Sequence, residues 1–280
     1  MMRLLALLAV LAMLEGCAVR QFAVNRIGDA LAGGGASYAA DDDPELVRAA
    51  SPFGLKLVES LLEESPRHAG LLLAAARGFT QYAYAFVQQD AEEAEEHDLA
   101  RSRRLQARAR GLYRRARDYG LRGLAQRPGD VALHYWTGAS WAALIALSKD
   151  DPEALADVPR VEALMRRALE LDEAFDRGAL HTFMIAYEMA RPGAGGAAEA
   201  RARRHFERAL ELSAGLDAAP LVALAEGVCV PLQRRAEFER LLARALAIDP
   251  ARRPEGRLAN LVAQRRAHWL LARGERLFLE

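Results

Sequence analysis

The chain has 280 residues, which is enough for one large domain or two small ones with cores of their own. It carries 38 basic and 38 acidic residues, and a net charge of zero gives no reason to expect a nucleic-acid partner. Long β-branched runs and alternating polar–apolar patterns are rare, so we predict an all-α protein.

The N-terminal segment has the features of a lipoprotein signal peptide, which we assign to residues 1–17. Arg3 supplies a positive charge, and the apolar run LLALLAVLAML is too short to span a bilayer comfortably. The next residues, LEGC, resemble a lipoprotein box in which Cys17 would carry the lipid. Because Glu15 stands where such boxes usually have a small or polar residue, a plain signal peptide or an anchor helix stays an alternative.

The residue after Cys17 bears on the destination of a lipoprotein. It is alanine rather than aspartate, and in a Gram-negative cell this favours export to the outer membrane. We therefore expect the protein on the periplasmic side of the outer membrane, held to that membrane by its N-terminal lipid.

The rest of the chain divides into a tether and one domain. Residues 18–43 contain LAGGGASYAADDD, a glycine-rich and then acidic stretch that is typical of a flexible tether. Asp43 suits the N-cap of a helix and Pro44 suits its first position. We therefore predict that a single tetratricopeptide-like helical domain occupies residues 44–280.

Five segments end helices in a similar way and indicate a degenerate repeat. The last two best fit the second helix of a tetratricopeptide repeat, in which a small residue lets two helices cross closely and a bulky residue fills the adjacent gap. Repeats that cannot bury their faces alone must stack, so we predict a right-handed superhelical solenoid of degenerate tetratricopeptide-like helix pairs. The segments are LVESLLEESP, YGLRGLAQRP, EALMRRALELDE, RHFERALELSA and ERLLARALAIDP.

The stretch RGFTQYAYAFVQQ places four aromatic rings in one predicted helix. Phe79 and Phe86 fall on its apolar face and are predicted to lie in the core. Tyr84 falls on a different stripe with Arg77 and Gln81, which we expect to face the concave side of the solenoid. A tyrosine among polar side chains offers both an apolar face and a hydrogen-bonding tip.

The same register extends this concave stripe to later helices. It puts Gly138 at a close helix contact, Trp141 in the core and Tyr135 on the concave side. We hypothesise that the resulting groove or pore contacts a ligand or a partner protein. The alternative is an ordinary solvated inner surface, with the third-helix members in structural hydrogen bonds. The later members of the stripe are His181 and Glu188 on the third helix and Glu226 on the fourth.

Opposite charges lie close together in the middle of the N-terminal half. The acidic run DAEEAEEHD (residues 90–98) precedes an arginine-rich helix predicted over residues 101–127. We expect a solvated helical hairpin with ion pairs between the two, and the alternative is a docking surface for a partner.

Motifs of catalysis are missing from the sequence. The glycine runs lack the Lys-Ser/Thr ending of a phosphate loop, and the histidines form neither HxxxH nor HExxH. His181 and Glu188 share a helix face but stand about 10 Å apart along its axis, too far for direct contact. We therefore predict no enzyme, no cofactor and no metal site.

Long ordered segments resemble the T-component (TatT-type) lipoproteins of TRAP transporters, from about Asp43 to the C-terminus. They include LLEESPRHAGLLLAAARGFTQYAYAFVQQDAEEAE, LHYWTGASWAALIALSKDDPEALADVP and LAIDPARRPEGRLANLVAQRRAHWLLARGERLFL. The resemblance implies a lipid-anchored, all-helical protein that forms a homotrimer around a pore. It also implies an accessory of an ion-gradient-driven importer, which binds a periplasmic solute-binding P component and helps to deliver small hydrophobic organic ligands.

Two other functions remain open on the sequence. One is a generic tetratricopeptide scaffold for cell-envelope protein assembly, without transfer of small molecules. The other is an envelope enzyme that uses His181 and Glu188.

Overall fold

The computed structural model describes residues 25–30, 33, 35–191 and 195–279, and every regular element in these ranges is helical. The prediction of an all-α protein is therefore confirmed. Residues 1–17, with the proposed lipidation site Cys17, lie outside the described residues. In chain order the helices are α1 (Gly35–Ala40), α2 (Pro44–Glu64), α3 (Ala69–Tyr82), α4 (Gln89–Ala94), α5 (Leu99–Gln126), α6 (Val131–Ala146), α7 (Pro152–Ala156), α8 (Val158–Leu171), α9 (Ala179–Ala190), α10 (Ala198–Leu212), α11 (Ala219–Leu224), α12 (Arg235–Leu246), α13 (Arg257–Ala272) and α14 (Gly274–Leu277).

Two π-helical stretches continue helices of this series. Ala83–Gln88 joins α3 to α4, and Ala225–Cys229 follows α11. In the first stretch the Gln89 amide donates to the Tyr84 carbonyl, five residues back. Such wide turns are rare and occur often at functional sites.

Part of the predicted tether is helical and lies on the domain. Residues 25–30 are helical, and the Ser65 hydroxyl donates to Asn25 Oδ1 at 2.8 Å. His68 Nε2 is 3.3 Å from Asp29 Oδ1, and α1 packs on α13. These contacts differ from the flexible tether that we expected over residues 18–43. Of that range, residues 18–24, 31, 32 and 34 lie outside the described residues.

The start of α2 agrees with the sequence. The helix begins at Pro44, and Asp43 Oδ1 accepts hydrogen bonds from the Glu45 and Leu46 amides, each at 3.0 Å. This cap satisfies two of the amides that the first turn of a helix leaves without partners.

Successive helices pack on one another around three apolar clusters. Phe79, Phe86 and Trp141 are all buried, as their positions in the sequence predicted. Gly138 is at a close helix contact, because an added Cβ would lie 2.8 Å from Met165 Cε of α8. The apolar periodicity of α3 and α6 therefore identified the side of each helix that packs.

The last long helix returns to the first ones. Leu258 and Val262 of α13 pack against the apolar cluster that α2 and α3 build. Further along α13, Arg265 Nη2 lies 2.7 Å from both Asp90 and Glu93. We call this contact, between residues 89–98 and residues 257–277, the seam. It closes the series of packed helices into a circuit.

The seam corrects the expected pairing of the acidic run. Among the described residues, no carboxylate of residues 90–98 forms an ion pair with an arginine of α5. Asp90 instead bonds to Arg48 and Arg265, and Glu96 bonds to Arg273 at 2.8 Å and to Arg276. The reason is rotational: α4 packs beside α5, but its carboxylates project towards α13.

Arg265→Glu should lower the free energy of unfolding by about 2 kcal/mol, because it removes two ion pairs and places a third carboxylate beside Asp90 and Glu93. Urea unfolding at low salt measures this change. Raising NaCl from about 0.05 M to about 0.5 M should shrink the difference from the wild type by screening the repulsion.

Arg235→Glu is the matched control for this reversal. Arg235 also has two carboxylate partners, Glu239 and Glu275, but all three side chains are largely exposed and lie near the C-terminus. Its reversal should cost much less. Equal losses in the two variants would mean that the seam adds no stability of its own.

Candidate functional site

One stripe of α3 and the π-helical stretch after it contains the first residues that were predicted to face a concavity. Arg77, Gln81 and Tyr84 are spaced by four and three residues, so they share a helix face. Gln81 and Tyr84 are exposed, and 43% of the Tyr84 surface meets solvent. Desolvation nevertheless raises the pKa of Tyr84 to about 12. The Tyr84 ring is thus open to water on one side and crowded by protein on the others.

The two π-helical stretches bring separate members of the predicted stripe near one another. Tyr84 lies in the first stretch and Glu226 in the second. After desolvation, the charges of Arg266, Glu226 and Glu92 act on the pKa of the Tyr84 phenol. The structure thus places Tyr84 and Glu226 in one electrostatic environment, although they are far apart in sequence.

Arg266 of α13 joins these elements. It makes a bidentate contact with Glu226 (Nε to Oε2 at 3.2 Å, and Nη2 to Oε1) and a second contact with Glu92 of α4. Its side chain is only 8% exposed and lies 4.2 Å from the centroid of the Trp269 ring. Burial alone would lower the pKa of Arg266, but the bond to Glu226 and the nearby carboxylates raise it. A buried guanidinium therefore keeps its charge by holding two carboxylates.

Tyr135 of α6 lies near Tyr84. Its ring centroid is 4.8 Å from that of Trp136 and 5.4 Å from that of Phe175, in the loop after α8. Desolvation raises the pKa of Tyr135, and the charges of Asp176 and Tyr84 raise it further. The two tyrosines predicted for the concave side are therefore neighbours across α3 and α6.

The loop that carries Phe175 has an unusual backbone. Asp176, Arg177 and Gly178 follow one another with φ of 41°, 56° and 91°. The left-handed region costs non-glycine residues of order 1 kcal/mol or more each. At Gly178 a side chain would also meet Ala209 Cα at 3.2 Å. This strained turn holds Asp176 close enough to Tyr135 to influence its pKa.

Arg77 is half-buried at one side of the concavity. Its guanidinium lies so close to Gly35 of α1 that an added Cβ there would be 2.6 Å from Nη2. Burial lowers the pKa of Arg77, and the charge of Asp176 partly offsets this. Arg77 makes no ion pair within 4.0 Å among the described residues. The Arg77 guanidinium is therefore half-buried without a carboxylate partner among the described residues.

His181 and Glu188 are placed elsewhere. Both are buried between α9 and α10, where His181 Nδ1 is 2.8 Å from His205 Nδ1 and Glu188 Oε2 accepts from Arg201 Nε at 2.5 Å. Arg191 Nε adds a contact to Glu188 at 3.1 Å. His181 and Glu188 therefore form hydrogen bonds within the fold, which was the alternative to a ligand contact given in the sequence analysis.

Sequence reasoning missed three members of the concavity: Arg266, Phe175 and Asp176. The signal for Arg266 was present, because the pair RR interrupts the apolar helix NLVAQRRAHWLL while the acidic run offers its partners. Phe175 and Asp176 lie in a loop, where periodicity gives no information. Only the folded backbone brings that loop beside Tyr135.

The described ranges contain neither a membrane-spanning helix nor a metal site. No helix there is both long and apolar enough to cross a membrane. Within the same residues, no group of three or more His, Cys, Asp or Glu side chains could hold a metal ion.

Comparisons with known proteins give two matches to this chain. The sequence profile of the family described as "TRAP transporter T-component" matches residues 40–129 and residues 126–278. A protein of Treponema pallidum (strain Nichols), named only as an uncharacterized protein, is 31% identical over 268 residues. That alignment covers 87% of this chain and 83% of the relative.

These matches define the class of protein: an all-helical transporter component, from a family that is not one of enzymes. The chain belongs to the TRAP transporter T-component family. Membership implies an accessory role in TRAP transport.

The His181–His205 contact should make stability depend on pH. Desolvation lowers the pKa of both imidazoles, and the charge of His181 lowers that of His205 further. The unfolded chain then binds more protons, so stability is complete above about pH 6.5 and falls as the pH drops below that value. Urea unfolding from about pH 7.5 to about pH 5 should show this loss.

A double variant, His181→Gln with His205→Gln, should flatten that pH dependence. The control is His97→Gln with His268→Gln, which removes two exposed imidazoles and should keep the wild-type slope. An unchanged slope in the first variant would mean that the buried pair does not control stability in acid.

Proposed function

We propose that this protein is a lipid-anchored, periplasm-facing accessory of a TRAP-type, ion-gradient-driven transporter. It binds a periplasmic solute-binding P component and assists the transfer of small hydrophobic organic ligands. The observation that supports the ligand role is the proximity of Tyr84 and Tyr135, whose rings are both partly desolvated, and the ligand would lie in a concavity beside them.

The chemistry of this concavity suits an amphipathic ligand. The rings of Tyr84, Tyr135 and Phe175 offer apolar surface, and the two phenols are hydrogen-bonding tips. Arg77 and Gln81 add polar groups along the same stripe. Family membership supports a transport role for such a site, since it implies work beside an importer rather than catalysis.

The finer architecture belongs to the same proposal. The helix pairs form a right-handed superhelical solenoid of degenerate tetratricopeptide-like units over residues 44–280. Lipidation at Cys17 holds the domain at the periplasmic side of the outer membrane, and the length of the chain between Cys17 and Asn25 limits its distance from that membrane. The functional assembly is a homotrimer.

A second candidate function is a scaffold for cell-envelope protein assembly. One observation favours it: α2 presents an apolar stripe that no described element covers. Phe53 is 75% exposed, and the stripe has helical spacing. Its members are Leu46, Ala50, Phe53 and Leu57. A protein partner on this stripe, without any small ligand in the concavity, would fit the scaffold.

Replacing Tyr84 and Tyr135 together by alanine should weaken ligand binding about tenfold or more, because it removes two rings from the wall of the concavity. Titration with the apolar fluorophore 1-anilinonaphthalene-8-sulfonate measures this loss. The fluorescence of Trp136, beside Tyr135, gives a second readout. Thermal unfolding should change little, since Tyr84 is exposed and Tyr135 is only partly buried.

Two further variants separate the causes of any loss. Tyr84→Phe with Tyr135→Phe keeps the rings and removes only the hydroxyls. Tyr38→Ala with Phe53→Ala removes two exposed rings from α1 and α2 and is the matched control. Unchanged binding by a folded Tyr84→Ala/Tyr135→Ala protein would remove the concavity from the proposal.

The partner is tested by purifying the detergent-extracted lipoprotein from its own cells and identifying bound proteins by mass spectrometry. Stoichiometric recovery of a periplasmic solute-binding protein is the expected result. Recovery of envelope assembly proteins alone would contradict the transport role and promote the scaffold.

A further inference from the structure

The exposed side of α5 carries positive charge that the described chain does not balance. The helix has nine arginines and one acidic residue, Asp118. The acidic run just before it is occupied at the seam, where it binds arginines of α13 and α14. Four exposed arginines of α5 make no side-chain hydrogen bond or ion pair with any described residue: Arg101, Arg103, Arg104 and Arg114.

Three of these arginines lie close together at the start of α5. Arg101 lies in the first turn, where the partial positive charge at the helix N-terminus repels cations, and Arg103 and Arg104 follow in the second turn. Asp98 caps this end, since its carboxylate accepts from the Arg101 amide at 2.8 Å. An external anion would relieve the remaining repulsion, which the described chain leaves uncompensated.

The far end of α5 lies where the described chain enters the domain. Arg122 Nη2 donates to the Pro66 carbonyl at 2.8 Å, and the adjacent Ser65 binds Asn25. From Arg122 back to Arg103, α5 runs for about 28 Å along its axis. Arg101, Arg103 and Arg104 therefore lie at the opposite end of the helix from the chain entry, and Arg114 lies between the two ends.

This position favours a protein over a membrane as the partner. A lipid on Cys17 would be joined to Asn25 by a segment that spans at most about 28 Å when fully extended. Unless that segment is fully extended along α5, a bilayer holding the lipid lies nearer to the Arg122 end of the helix than to Arg103. The patch then points towards the aqueous phase, from which a soluble partner approaches.

We propose that Arg101, Arg103, Arg104 and Arg114 dock the acidic face of a soluble protein at the membrane-distal end of the domain. The inference rests on the proposed function for its anchored orientation and for the partner, a periplasmic solute-binding protein. Exposed charges of this kind steer the encounter and fix its register more than they add affinity.

The test uses the full lipoprotein in nanodiscs and the solute-binding protein recovered with it. The patch variant is Arg101→Gln, Arg103→Gln and Arg104→Gln combined. It should bind the partner about tenfold more weakly at low salt, mainly through slower association. Its affinity should also vary less with NaCl than that of the wild type. Glutamine is a good helix former, so circular dichroism should report an intact fold.

The matched control removes the same charge from α8. Arg160, Arg166 and Arg167 are exposed but paired within their own region, to Asp157, Glu162 and Glu170. The triple glutamine variant of these three should bind the partner as the wild type does. Equal losses in the patch and control variants would overturn the proposal, since net charge alone would then explain them.

Further outcomes separate this proposal from the proposed function. If the patch variant binds the solute-binding protein normally while Tyr84→Ala/Tyr135→Ala loses ligand binding, the docking site is overturned and the transport role stands. If no solute-binding protein binds the wild type, the transport role fails, and poly-L-glutamate becomes the probe of the patch. The patch variant must then bind that polymer about tenfold more weakly than the control variant. Weaker binding to phosphatidylglycerol vesicles alone would assign the patch to lipid and overturn the proposal.

Discussion

The ion pairs that join α13 to the acidic run are the constraint on which the rest of the molecule depends. A series of stacked helix pairs leaves an uncovered face at each end. Here α13 covers the first apolar cluster with Leu258 and Val262, and its arginines meet the carboxylates that follow α3. Since these charges are partly withdrawn from water, their attraction is screened less than that of fully exposed pairs. The first and last long helices of the described chain therefore stabilise one another.

Arg266 links the seam to the surroundings of Tyr84. It contacts Glu92 at the seam and Glu226 beside Tyr84, so neither carboxylate can move without exposing or stranding a buried charge. A ligand that displaced the Tyr84 ring would act on the same three charges. The wall of the concavity is in this way tied to the contact that holds the first and last helices together.

The sequence predicted what depends on short-range order. The burial of Phe79, Phe86 and Trp141 and the start of α2 at Pro44 follow from helical spacing and capping, which are local. Ion pairs between helices that are far apart in sequence could not be predicted in this way. The acidic run was matched to the nearest arginines in sequence, whereas its partners are Arg48, 42 residues before Asp90, and arginines such as Arg265, 175 residues after it. Likewise, the register of α9 could not tell whether His181 and Glu188 face the concavity or α10, because both sides of such a helix carry mixed residues.

The π-helical stretch after α3 sets the direction in which the side chains of α4 project from the helix axis. One residue more per turn than an α-helix rotates the following segment by about 100° about the axis. Without that extra residue, Asp90, Glu92 and Glu93 would project from a different side of α4, and α13 would meet other side chains. The wide turn therefore rotates the carboxylates of the seam about the helix axis, relative to the stripe that carries Tyr84. Deleting a single residue there would leave the helix almost unchanged in composition, but it would turn the seam carboxylates away from the arginines of α13.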